Sequence, residues 1–160
     1  MSVEKTISLL RIKKELEPCL SYGANCGWVF SEIDEPNQSF KIQMQSPIDE
    51  EKYHLEIVFN DYPEIPLLLE FIDPRSDEKG TLHAYPKNRD SFFHTFPCIC
   101  NPCSRKSYKS FNELAPHGDW QMIGWQNNQQ VGTLTNLDSI LKTIYLRICK
   151  SEIYAGRMAK

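Results

Sequence analysis

One histidine and three cysteines fall within ten residues of this chain, in the pattern His94-x3-Cys98-x-Cys100-x2-Cys103. A cysteine sulfur can act as a nucleophile or as a metal ligand, so the cluster admits two chemistries. A reachable thiol can form a covalent acyl intermediate without any cofactor. Alternatively, one imidazole and three thiols suffice for a closed tetrahedral zinc site, with Cys-x2-Cys as a common half-site. If residues 98–100 are extended, Cys98 and Cys100 share a face and Ile99 anchors the opposite one. Cys98 is then a reserve nucleophile or a resolving thiol for Cys100, and Cys103, after Pro102, is the least determined of the three. A tetrahedral intermediate needs a donor for its oxyanion, and losing one such donor typically costs ~3 kcal/mol of barrier. Asn101, Asn88 and His94 are candidates, with His83 a further accessory histidine. Against these roles stand a turn-forming Asn88 in Pro-Lys-Asn-Arg-Asp and loop histidines satisfied by backbone.

The elements that must position this cluster lie on both sides of it. Leu9, Ile12 and Leu16, widened by Ile7 and Leu10, predict a helix over 2–17 that stops at Pro18. The basic residues Lys5, Arg11, Lys13 and Lys14 occupy its other face. Strands follow at 28–33, 40–44, 53–59 and 67–72, the middle two alternating strictly, with His54 and Glu56 on the outer face. Short connections favour an antiparallel meander. Cys19 and Cys26 bracket a turn-like stretch, and Cys149 is expected as a buried small side chain. Residues 73–132 break the regularity, which in a compact domain marks a functional or braced loop. Trp120 and Trp125, with Tyr108 and Phe111, are expected to anchor this loop, while Arg105, Lys106 and Lys109 are read as solvated charge with a phosphate or acidic tail as the sharper option. Leu137, Ile140, Leu141, Ile144 and Ile148 predict a final helix capped by Thr135 or Asn136. The whole reads as one α+β domain over residues 1–160.

Between the third and fourth strands the chain reads Phe59-Asn60-Asp61-Tyr62-Pro63-Glu64-Ile65-Pro66. Two prolines three apart fix φ and remove two donors, so this segment is a rigid bend at the rim of the sheet. The run Tyr-x-Leu-x-Ile-x-Phe, then x-Asp-Tyr-Pro-x-x-Pro, resembles the same segment of ubiquitin-conjugating enzymes. His83-Ala84-Tyr85-Pro86-Lys87-Asn88, Ile99-Cys100-Asn101, Trp120 and the last helix then follow in the order of that family's landmarks. The spread His-Pro-Asn element, the asparagine after the cysteine and the long gap to Trp120 are closer to divergent bacterial relatives found beside cyclic-nucleotide antiphage (CBASS) signalling genes.

That resemblance implies a conjugating-enzyme fold: N-terminal helix, four-stranded antiparallel meander, long active-site loop and C-terminal helix. It also implies Cys100 as the thioester-forming nucleophile, an oxyanion role for Asn88, and no cofactor. The implied partners are a protein modifier or substrate C-terminus, such as that of a cGAS-like nucleotidyltransferase, and an acceptor amine. The alternatives are a zinc-stabilised domain using His94, Cys98, Cys100 and Cys103, a non-catalytic adaptor of the same fold, and a Cys/His/Asp hydrolase. Composition narrows the field further. The chain has 160 residues with a net charge of -3 and no basic block, which disfavours nucleic acid as partner. It has no apolar run of membrane-spanning length, and its opening Met1-Ser2-Val3-Glu4-Lys5 lacks the pattern of a secretory signal. A cytoplasmic, reducing setting without a disulfide framework is therefore expected. No phosphate-cradling glycine loop is present, so activation of the acyl group falls to another protein. No oligomeric state follows from the sequence.

Overall fold

The computed structural model describes residues 3–158. Helix α1 spans Lys5–Asn25, eight residues beyond the expected stop, and position 2 of the expected helix lies outside the described residues. Pro18 sits inside it. A proline there frees the carbonyl four residues back, that of Lys14. Both Pro18 and Lys14 are exposed, so water serves the freed carbonyl and the helix continues. The presumed turn between Cys19 and Cys26 is therefore helical, with Cys26 as the C-terminal cap. Ile12 is fully buried and Leu9 and Leu16 pack beside it, but Ile7 and Leu10 face outward at 53% and 62% exposure. Ser8 takes the inward position instead, donating from Oγ to the carbonyl of Tyr62 at 2.8 Å.

Four antiparallel strands follow in the order β1-β2-β3-β4: Val29–Phe30, Ser39–Gln45, Lys52–Val58 and Leu68–Ile72. The meander is as expected, though β1 keeps only two residues of the longer strand. The register sets Ile42 opposite Leu55 and Leu55 opposite Phe71, so the alternating apolar residues stack across the sheet. Glu56, expected on a wet face, is instead buried beneath Lys79 at 2.9 Å.

The long connection carries three short strands, β5 (Pro86–Asn88), β6 (Phe93–His94) and β7 (Cys98–Ile99), and four 3-10 turns. Helix α2, Leu137–Cys149, buries all five residues of its predicted stripe. Asn136, not Thr135, caps it, accepting from the amide of Ser139 at 2.9 Å. Cys149 proves partly exposed rather than buried. The chain closes with β8, Tyr154–Arg157, which pairs with β5 and was not expected from the sequence.

Glu15 joins these layers. Its Oε1 accepts from the hydroxyl of Tyr62 at 2.6 Å and from the first helical amide of α2, Leu137, at 2.8 Å, while Arg11 pairs with Oε2. One carboxylate thus ties α1, the prolyl bend and the positive end of α2.

Candidate active site

Strands β6 and β7 form a small hairpin, with Phe93 opposite Ile99 and His94 opposite Cys98. The ladder extends one bond further, from the amide of Cys100 to the carbonyl of Phe92 at 2.7 Å. The amide of Asn101 then folds back to the carbonyl of Ile99 at 3.1 Å, closing a three-residue turn with Cys100 at its apex. A side chain at such an apex leaves the plane of the hairpin. Cys100 is accordingly part-exposed, whereas Cys98 and Cys103 are fully buried.

The Cys100 sulfur lies 3.2 Å from Nε2 of His117. The sequence reading did not single out this histidine, and its position is set by five linked contacts. Tyr108 bridges to His117 in parallel fashion, and the amide of Lys109 donates to the His117 carbonyl at 3.1 Å. The Tyr108 hydroxyl donates to the carbonyl of Pro102 at 2.6 Å, fastening the histidine segment to the cysteine turn. The Tyr108 ring meets Trp120 edge-on at 5.7 Å, and Trp120 stacks flat on His117 at 3.5 Å and 4°. With its ring plane fixed by the indole, the imidazole presents Nε2 to the sulfur.

Burial acts on both members of this pair in the same sense. It pushes the Cys100 thiol up from its ordinary value. It also pulls His117 below the usual imidazole range, an effect reinforced by His94 and opposed by Asp119. Desolvation disfavours the charged form of either group, so burial works against a thiolate–imidazolium pair.

The other expected site residues occupy different posts. Asn88 accepts from the amides of Phe92 at 3.2 Å and Phe93 at 3.4 Å, pinning the strand that holds Cys100. Asn101 accepts from the amide of Cys103 at 2.9 Å and donates to the carbonyl of Gln130 at 3.2 Å. His83 turns to the C-terminal strand, with Nδ1 3.3 Å from the carbonyl of Met158. His94 lines a cleft of about 460 Å³ with Asn88, Ser91, Phe93 and Thr95. The zinc quartet His94, Cys98, Cys100 and Cys103 does not assemble: no three potential ligands cluster among the described residues. Cys103 packs in the apolar core, and burial pushes the Cys98 thiol up to about 12, an effect that Cys100 reinforces and Lys106 opposes.

Two charges expected in solvent are buried. Arg105 is 5% exposed and reaches into the prolyl bend, donating to the carbonyls of Pro66 at 3.0 Å and Asn60 at 2.8 Å and to Oδ1 of Asn60 at 2.9 Å. Its amide also donates to the carbonyl of Leu67 at 2.8 Å, so the chain beyond Cys103 is stitched to the edge of β4. Lys106 is covered beside Glu70 at 3.5 Å. Trp125 is a buried anchor as expected, its Nε1 donating to the carbonyl of Pro63 at 2.9 Å, whereas Phe111 is exposed. No helix among the described residues is long and apolar enough to cross a membrane. Comparison with protein-family models, with curated proteins and with solved structures finds no match to this chain.

Proposed function

We propose that this chain is a thioester carrier of the ubiquitin-conjugating type, with Cys100 as nucleophile and His117 as its base. The observation that carries the reading is the 3.2 Å approach of the part-exposed Cys100 sulfur to His117 Nε2 at the tip of a turn. The resemblance of the prolyl bend and the Ile-Cys element supplies the substrate class.

In the first step Cys100 attacks the carbonyl carbon of a protein C-terminus already activated elsewhere, as an acyl adenylate or a thioester. The S–C bond forms, the thiol proton passes to His117 Nε2, and the adenylate or donor thiolate departs. In the second step an acceptor amine attacks the Cys100 thioester. The C–S bond breaks, an amide forms, and the amine proton is taken up by solvent or by the departing sulfur. The cleft beside His94 gives an extended C-terminal tail a bed along the hairpin. A cGAS-like nucleotidyltransferase of a bacterial antiphage system is the donor that the resemblance favours, in a cytoplasmic setting.

Trapping decides the matter. Cys100→Ser, incubated with the donor and its activating partner, should hold an oxyester that survives reductant, whereas the native thioester is cleaved by it. Cys100→Ala should show neither adduct while keeping its fold. His117→Ala should slow loading by about 10²–10⁴, the range of a lost general base. An adduct that persists in Cys100→Ala would overturn the assignment and leave an adaptor. A thioester discharged as fast by water as by amines would make the protein a hydrolase.

A further inference from the structure

The indole of Trp120 lies on the imidazole of His117 with ring centroids 3.5 Å apart and planes 4° from parallel. Carbon atoms in contact are themselves separated by about 3.5–4.0 Å, so the two rings overlap face on with almost no offset. Between neutral rings this is the disfavoured arrangement, because two π faces of the same sign meet, and offset or edge-on packing is preferred. The other contact of the same indole is of the preferred kind: Tyr108 meets it at 5.7 Å and 61°. A tryptophan that only pinned the loop would do so through Tyr108 and would need no full overlap with a histidine. The overlap becomes favourable when one ring carries positive charge, since a cation is drawn to an aromatic face and to that of tryptophan most. Trp120 is 8% exposed, so little water is present to weaken that attraction.

We propose that Trp120 is the positioning residue of the Cys100–His117 pair, its face holding the imidazole against the sulfur and steadying the imidazolium that forms when the thiol proton moves. The inference rests on the reading of Cys100 as nucleophile and His117 as base. In that transfer the S–H bond breaks, its electron pair stays on Cys100, and the proton bonds to Nε2 across the 3.2 Å contact. The positive charge then spreads over a ring whose one face is covered by the indole. Of the groups around it, Asp119 favours this charge, while burial and His94 oppose it. Lys109 meets His117 through its backbone amide. Trp120 thus offsets, at the moment of transfer, part of the opposition from burial, and it acts on the reaction through His117 alone.

An aliphatic replacement would let water reach the imidazole, which favours its charge and mixes two effects. The test therefore keeps the indole and changes its electrons. Full-length protein is made with tryptophan, monofluorotryptophan, difluorotryptophan or trifluorotryptophan, because ring fluorine drains charge from the π face with little change of shape. Trp28 and Trp125 are replaced as well, but they pack against Tyr22, Phe30, Tyr145 and Tyr62. His117 is titrated by proton NMR of its imidazole, assigned as the signal missing from His117→Gln. Its affinity for a proton should fall stepwise with fluorine number, by about two- to fivefold across the series. His54, governed by burial, Arg157 and Lys52, should stay fixed. A His117 titration that is unchanged, that rises, or that moves only as far as that of His54 would overturn the proposal and leave Trp120 an anchor. The titration needs no donor. A stepwise fall in a chain that never carries an adduct on Cys100 would uphold the role of Trp120 and remove only the thioester reading.

Discussion

Arg105→Ala should destabilise the fold by about 2–4 kcal/mol, net of the solvation that the guanidinium loses on burial. The guanidinium is 5% exposed, and its three side-chain bonds, at 2.8–3.0 Å, all end on oxygens of Asn60 and Pro66. Among the described residues no carboxylate reaches ion-pair distance of it; only Asp61 acts on it at longer range. A bond from a charged donor contributes roughly 1.5–3 kcal/mol, so three give a large gross term. Returning the cation to water recovers several kcal/mol, which reduces the net to the stated range. The corresponding fall in Tm for a chain of this size is about 5–15 °C. Urea titration at neutral pH measures the loss, with an unchanged slope showing that the unfolded state is the same. Arg105→Lys should recover less than half of it, because a point charge cannot serve three acceptors held in a fork. The native Cys100 thiol should also react faster with a thiol reagent in Arg105→Ala, since the chain after the turn loses its tether. A cost below about 0.5 kcal/mol, the band of ordinary surface substitutions, would refute the reasoning and return Arg105 to the solvated charge its sequence context suggests.

Glu15→Gln keeps an acceptor for Tyr62 and Leu137 but removes the charge at the head of α2, and should cost about 1 kcal/mol in the same titration, against about 2–3 kcal/mol for Glu15→Ala. Gly23→Ala, which in an open helix would gain about 1 kcal/mol, should lower Tm instead. Its Cβ would lie 2.7 Å from Trp28 and 2.8 Å from Phe30, both rigid rings, and overpacking of that kind costs about 1–3 kcal/mol. Iodoacetamide labelling of Cys100 should climb steadily with pH into the alkaline range, because burial raises the thiol and lowers its imidazole partner. A reactive plateau between about pH 5 and 7 would reveal a thiolate–imidazolium pair and contradict that electrostatic account. His54 and His117 are both held below the usual imidazole range by burial, His54 also by Arg157 and Lys52. Protonation therefore favours the unfolded chain, so their contribution is full above about pH 6.5 and is lost as pH falls below it. The urea midpoint should drop between pH 7.5 and 5.5, and by less in a His54→Gln, His117→Gln double variant.

The meander and the last helix were legible because one signal dominates each: strict alternation in Phe40–Met44 and Tyr53–Phe59, and a five-residue stripe in α2. Periodicity reports which face is apolar, and these elements have a single apolar face; the burial of Glu56 on the other face of β3 is not readable from it. The end of α1 was not legible, because proline ordinarily stops a helix and only the exposure of Lys14 and Pro18 cancels the rule. Exposure is a property of the packed molecule. The strand Tyr154–Arg157 was equally hidden, since four residues beside a three-residue partner carry almost no alternation to read.

The site divides along the same line. Cys100 could be singled out as a candidate from its neighbours in sequence, and the turn that lifts it is local, closed by bonds among residues 92–101. His117 lies 17 residues further on and depends on Tyr108 reaching both Pro102 and Trp120, contacts that no spacing rule encodes. The available clue was compositional: a histidine three residues before a tryptophan, in a loop already suspected of function. A flat aromatic neighbour can fix an imidazole plane. The same contrast explains the charges. Arg105 and Lys106 look like surface residues in any local window, and they become structural only once the prolyl bend and Glu70 come to meet them. The prolyl bend therefore acts at a distance, holding the chain that leaves Cys100 through Arg105 and receiving α1 and α2 through Tyr62 and Glu15. If that network is what sets the sulfur, a loosened bend should alter Cys100 reactivity without touching any residue that contacts it.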